Sequence, residues 1–365
     1  MEVTNPVSWD VAERVATWVG AGNPFAGSST SVNVDPATKA QLEKDFAELT
    51  SQAELMVVEE TGLRPASGAA RARVVDRPGW VHTNLGSFRR LLDPVLEQLE
   101  TSALSGPLSR AARGMAGAQL GTVLGWMSTR VLGQYDLLLA EGDDGGDFVS
   151  YVGPNIVALE RQHGFPTRQF RLWIALHEVT HRCQFTGVAW LRPHFLSLVD
   201  QVLGGMVPDP RRFTDGLRRA TTAIRQGHNP MKQAGLLGLV AQPEQLEVIG
   251  RVQAMMSLLE GHGDVTMDRA GASAVPDAAW FGRVMRERRR RAGRPARLLQ
   301  QLVGIEAKLR QYEQGERFIR AVEDSEGRLL LARVWEGPEM LPSMDEIQHP
   351  ESWMARVAGT PVAAK

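Results

Sequence analysis

Cysteine and tyrosine are the scarcest residues of this 365-residue chain, with one Cys, Cys183, and three Tyr. A single cysteine excludes an intrachain disulfide and fits a reducing compartment. An excess of one charge is also missing. The 41 Lys and Arg stand against 42 Asp and Glu, a net charge of -1, so nothing global points to nucleic acid or to an anionic membrane as partner. No stretch approaches about 18 uncharged apolar residues, so no transmembrane helix is expected. The start, Met-Glu-Val-Thr-Asn-Pro, lacks the basic and apolar regions of a signal peptide, and the expected location is the cytoplasm. There is no Walker loop, no GxGxxG strand-turn-helix, no GxSxG elbow and no internal repeat, so the common phosphate-cradling and serine-nucleophile motifs are absent.

What is present suffices for a sizeable core: 43% of residues are hydrophobic and 23% charged. We read residues 1–365 as a single domain. A break at Glu141-Gly-Asp-Asp-Gly-Gly-Asp147 separates an N-terminal helical part, 1–140, from a second part, 147–357, and 358–365 is a tail. Apolar residues recur at helical spacing over 10–19, 37–60, 87–101, 108–139, 167–186, 192–203, 211–225, 243–259, 277–291, 296–324 and 329–334. The fold is therefore expected to be mainly α. Phe148-Val-Ser-Tyr-Val152 is the best strand candidate, β-branched and aromatic between turn signals. The run 108–139 is rich in Gly and Ala. Glycine weakens a helix by about 1 kcal/mol per residue, so this density implies that another helix packs closely there.

One motif carries chemistry. His177-Glu178-Val179-Thr180-His181 is an HExxH pattern inside the helix expected over 167–186. Positions i and i+4 share a helix face, so both imidazoles can meet one Zn²⁺. Glu178 points at a different angle and can act on a water activated by the metal, as a general base. Phe170, Trp173, Ile174, His177, His181 and Gln184 fall along one stripe, which places the histidines on an inward, apolar face. Buried imidazoles need partners, and a shared metal supplies one.

A hydrolytic zinc site needs a third protein ligand and one open position. The HExxHxxGxxH pattern is excluded, because Gly187 falls six residues after His181, where that pattern requires histidine. Leu258-Leu-Glu260-Gly-His-Gly-Asp264 offers a glutamate with an aspartate four residues on, at the end of an apolar helix. Glu260 is the expected third ligand, with His262 as the alternative. Asp264 is placed to accept the outer N–H of a ligand histidine. For the donor to a developing oxyanion the candidates are Tyr135, Tyr151, Tyr312 and His228, with Tyr312 preferred. Strand 148–152 is read either as an edge on which a peptide substrate could pair or as an ordinary buried strand. The basic run Arg286-Glu-Arg-Arg-Arg-Arg291, with Arg294 and Arg297, is read as a solvated helix end, and Cys183 as a packed thiol.

The segments Trp80-Val-His-Thr-Asn-Leu-Gly-Ser-Phe-Arg-Arg90, Phe170 to His181, Leu258 to Asp264, and Lys308-Leu-Arg-Gln-Tyr-Glu-Gln-Gly-Glu-Arg-Phe318, with Trp335-Glu-Gly-Pro338 and Leu341-Pro342, carry a resemblance. From about residue 35 to 357 the chain resembles the zincin-like hydrolases common in actinobacteria. These are zinc-dependent, metalloprotease-like proteins with a gluzincin-type HExxH, often labelled as associated with biosynthesis of a deazaflavin coenzyme. The resemblance implies a mostly α, zincin-like metallopeptidase fold with a small β element beside the active-site helix, and it makes 147–357 the catalytic part. One Zn²⁺ per chain and a peptide or small amide substrate are expected. The alternative is a non-catalytic metal-binding accessory protein serving coenzyme assembly. The intact Glu178 favours the hydrolase, since a purely structural site has no use for it. The sequence does not set the oligomeric state.

Overall fold

Helix formation follows the apolar periodicity through most of the chain. The computed structural model of the protein describes residues 7–21, 34–99, 107–136, 147–204, 243–290 and 305–359. The expected helix 211–225, and His228, Arg291, Arg294 and Arg297, lie outside the described residues. In order, the first elements are α1 (Trp9–Gly20), α2 (Pro36–Thr61), β1 (Arg71–Val75), α3 (Arg77–Leu99), α4 (Pro107–Ser128), β2 (Gly133–Tyr135) and β3 (Phe148–Val152). Then come α5 (Gly153–His163), α6 (Thr167–Gly187), α7 (Leu191–Gly204), α8 (Pro243–Ala270), α9 (Ala278–Arg290), α10 (Ile305–Glu326) and α11 (Arg328–Leu331). Two 3₁₀ turns lead to α12 (Met344–Gln348) and α13 (Pro350–Ala358). The fold is mainly α, as expected. No helix among the described residues is long and apolar enough to cross a membrane.

Two compact units are built from these elements. The first holds residues 1–62, 67–182 and 270–296; the second holds 63–66, 183–269 and 297–365. Helix α6 belongs to both, passing from one to the other between Arg182 and Cys183.

In the first unit the three strands lie in the order β1-β3-β2, with β1 parallel and β2 antiparallel to β3. Strand β3 is thus where the sequence placed it, but it is the central strand with both edges taken, so the edge reading of 148–152 fails. The edge beside it is β2. Tyr151, on one face of β3, stacks on Phe46 of α2 at 3.8 Å between ring centroids, and its hydroxyl meets that of Thr50 at 2.7 Å. Val152, on the other face, packs with Trp80, Val81 and Leu85 of α3 and with Ala12 and Ala16 of α1.

The glycines of α4 do what their density implied. A Cβ on Gly117, Gly121 or Gly125 would overlap the carbonyls of Ser8, Ala12 or Ala16, so α1 and α4 touch backbone to backbone at every turn. The helix ends at Ser128, short of the expected 139. The hydroxyls of Ser128 and Thr129 bond back to the carbonyls of Gly125 and Trp126, both at 2.8 Å, and compete with the helical ladder. The carbonyls freed at this end are taken by Asn155, whose Nδ2 donates to Ser128 O at 2.8 Å and Val131 O at 2.7 Å. Arg288, from the basic run, donates to Thr129 O at 3.2 Å and Arg130 O at 3.3 Å. This half-exposed member of the run therefore also caps a helix end.

In the second unit α8 continues eleven residues past the expected stop at Leu259, through Gly261 and Gly263. The reason lies on α10: Gly261 and Gly315 face one another so closely that a Cβ on either would overlap the other helix's backbone. Glycine here trades helix propensity for close packing. Leu258 and Val265 of α8 join Phe318, Ile319 and Val322 of α10 in one core with Trp353 of α13. Helix α12 begins with a capping box, Ser343 and Glu346 each bonding to the other's backbone N–H.

Candidate metal centre

From Phe170 to Phe185 every residue of α6 is buried except Trp173, His177 and His181. The apolar stripe predicts an inward face for the histidines. Instead the rest of this stretch is buried, and the histidines lie with Trp173 along its one half-accessible seam, one residue per turn. Its far side is also apolar, with Leu172, Ala175, Leu176 and Val179 all buried. That is why a stripe alone could not locate the inside.

The two Nε2 atoms of His177 and His181 stand 3.3 Å apart, with the rings at right angles. Two nitrogens each about 2.0–2.1 Å from a tetrahedral ion stand roughly 3.3–3.4 Å apart. The pair therefore has the spacing that one shared zinc requires. Glu260, 8% exposed on α8, completes a group of three whose ligand atoms all lie within 4.8 Å of one another. Two imidazoles and one carboxylate form a donor set that fits zinc and leaves one of four positions for substrate or water.

Glu178 is buried, one residue round the helix from His177. It lies against β2: a Cβ on Gly133 would sit 2.5 Å from Glu178 Cγ and 2.8 Å from its Oε1. Burial pushes the Tyr151 phenol well above its usual range. The Thr50 hydrogen bond opposes that, and the nearby charge of Glu178 adds to it. Tyr151 is fully buried and engaged with Thr50, so it does not reach a substrate.

Of the other expected site residues, His262 is not in the group of three. Its Nδ1 lies 3.0 Å from Gln184 Nε2 and 3.5 Å from Thr266 Oγ1, and its ring meets Trp335 edge-on at 5.0 Å. Asp264 is half-buried, one turn beyond Glu260. Tyr312 lies on α10, and its side chain is outside the described residues. Tyr135 follows Gly133 by two residues on β2. It therefore shares the face of the strand that Gly133 turns to Glu178. Cys183 is buried, as expected for a packed thiol. Sequence reasoning gave no role to Gly133 or Gln184. Gln184 carried a signal, a neutral polar side chain one turn past His181 in an apolar helix; a lone glycine after an apolar run carried none.

The family model for zincin-like metallopeptidases matches residues 7–354. Among solved structures, the chain is similar to the crystal structure of "a putative hydrolase with a novel fold" from Chloroflexus aurantiacus. The identity is 30% and the TM-score 0.71, over 97% of this chain and 100% of that one. None of the curated proteins matches the chain. Neither similarity bears on a deazaflavin coenzyme.

Proposed function

The chain belongs to the zincin-like metallopeptidase family, and from that premise we propose that it hydrolyses peptide or small amide bonds with one Zn²⁺ held by His177, His181 and Glu260. The observation that carries the reading is the 3.3 Å spacing of the two Nε2 atoms, with the Glu260 carboxylate close by. Zinc, when bound, polarises a carbonyl and makes water acidic enough to attack near neutral pH. The rest falls to the protein's own side chains. Glu178 takes the proton of the attacking water on its carboxylate and returns it to the departing amine. Its burial against Gly133 fixes its rotamer, so the base is aimed before substrate arrives. The outer edge of β2 pairs with no other strand among the described residues, and it offers an extended substrate a backbone to pair with beside Glu178. Tyr312 or Tyr135 donates to the developing oxyanion, and Asp264 supports a ligand histidine.

Elemental mass spectrometry on protein purified without added metal tests the ligands. We expect about one zinc per chain in the wild type and loss of it in His181→Ala and Glu260→Ala. A wild type that binds no metal on titration would sink the reading. Cleavage of a peptide library by the wild type then tests the reaction. A zinc-loaded protein that cleaves neither peptides nor small amides would leave the accessory role. Gly133→Ala is expected to keep its zinc and to lose roughly tenfold to a hundredfold of the activity, because the new methyl displaces Glu178 by a fraction of an ångström to an ångström. Unchanged turnover in that variant would mean that β2 does not set the position of the base.

A further inference from the structure

We infer that Gln184 is a positioning residue for the metal: it ties the histidine-bearing helix to the helix that carries Glu260. Gln184 has no exposed surface. Its Nε2 donates to the carbonyl of Leu259 and to Nδ1 of His262, both at 3.0 Å, so the two amide hydrogens grip α8 on either side of Glu260. Across α8 from this grip, Gly261 meets Gly315 and Ser257 meets the same glycine, so α10 closes the other side of the turn. The turn of α8 that bears Glu260 is thus held from two directions. Gln184 lies three residues after His181 in one continuous helix, so fixing Gln184 to α8 fixes the histidine pair as well. The amide's geometry also sets a tautomer. With Nδ1 of neutral His262 accepting, its proton sits on Nε2. Nδ1 is then occupied by the amide, and His262 serves the grip instead of the metal.

A three-ligand site needs its donors within a few tenths of an ångström of their places, and residues that orient ligands typically contribute about 10–100-fold to metal affinity. The inference rests on Glu260 being a ligand, and a double-mutant cycle separates the two claims. Zinc affinity is measured by competition with a chromogenic chelator for wild type, Gln184→Met, Glu260→Ala and the double variant. Methionine keeps the length and apolar stem of Gln184 and removes both donors. We expect Gln184→Met to bind zinc about 10–100-fold more weakly, and to cost nothing further once Glu260 is gone. If Glu260→Ala weakens binding and Gln184→Met does not, or if the two losses simply add, the positioning role is overturned and the ligand assignment stands. If Glu260→Ala leaves the affinity unchanged, the ligand assignment fails and this inference falls with it. Melting of the metal-free proteins shows whether Gln184→Met folds. If it does not, His262→Phe serves the same cycle, keeping a ring against Trp335 while removing one acceptor of the amide; an affinity equal to that of the wild type would then overturn the role.

Discussion

Glu178→Gln should retain its zinc and lose hydrolysis by roughly a hundredfold to ten-thousandfold, the usual contribution of a general base. Glutamine matches glutamate in shape, so the packing against Gly133 survives and β2 keeps its place. What disappears is the capacity to accept a proton from water. The metal group is spared because Glu178 lies about 100° round the helix from His177 and is not one of the three residues that gather there. The measurement is turnover on a cleaved library peptide, with zinc content determined on the same sample. Turnover within tenfold of wild type would remove Glu178 as the base. Loss of zinc together with activity would instead make Glu178 part of the metal's coordination.

The expected pairing of a retained metal with a lost reaction rests on the residue spacing within α6. That helix was legible almost to the residue, 167–186 expected against Thr167–Gly187 found, because its apolar side chains are dense and glycine ends it. Strand β3 was legible for a similar reason: five residues of strong β preference between turn signals. The other two strands were not. β1 reads Arg-Ala-Arg-Val-Val, with two long cations that lie over the Phe148 ring, and β2 is only three residues long. Three residues cannot display a period of two, and both strands exist through pairing with β3 across long stretches of chain. The site divides in the same way. Local spacing within one helix gave the histidine pair and Glu178. Glu260 required a second helix, recognised by a glutamate–aspartate spacing and by resemblance. Gly133 lies against Glu178, a residue 45 positions away, and one sequence holds no trace of that contact. The glycines of α4, Gly261 and Gly315 are the intermediate case. Their presence announced close helix packing, and only the structure names the partner helix.

The second large effect lies beside the histidine seam of α6, at the residue after His181. Arg182→Ala should destabilise the protein by about 3–5 kcal/mol, the cost of removing one partner from a buried ion network. Arg182 has no exposed surface. Its guanidinium forks onto Asp147 at 2.8 and 2.6 Å, meets Glu54 at 2.5 Å, and donates to the Gly68 carbonyl at 2.8 Å and the Ser67 hydroxyl at 3.2 Å. Glu54 in turn accepts from Ala70 N–H at 2.9 Å. Asp147 directly precedes β3, and Ala70 directly precedes β1. One arginine thus fastens the start of both parallel strands to the turn of α6 that carries His181. Without it, two carboxylates with side chains only 15% exposed face each other uncompensated. Arg182→Lys should fall between wild type and Arg182→Ala, because an ammonium keeps the charge but cannot fork onto both acids and the backbone. Thermal melting gives the check. A loss of this size should lower the midpoint by on the order of 10 °C, and zinc affinity should fall with it as the His181 turn loosens. A midpoint within a degree or two of wild type would mean that the sheet and α6 hold together without the arginine. The apolar packing of Tyr151 and Val149 would then carry that attachment in place of the ion network.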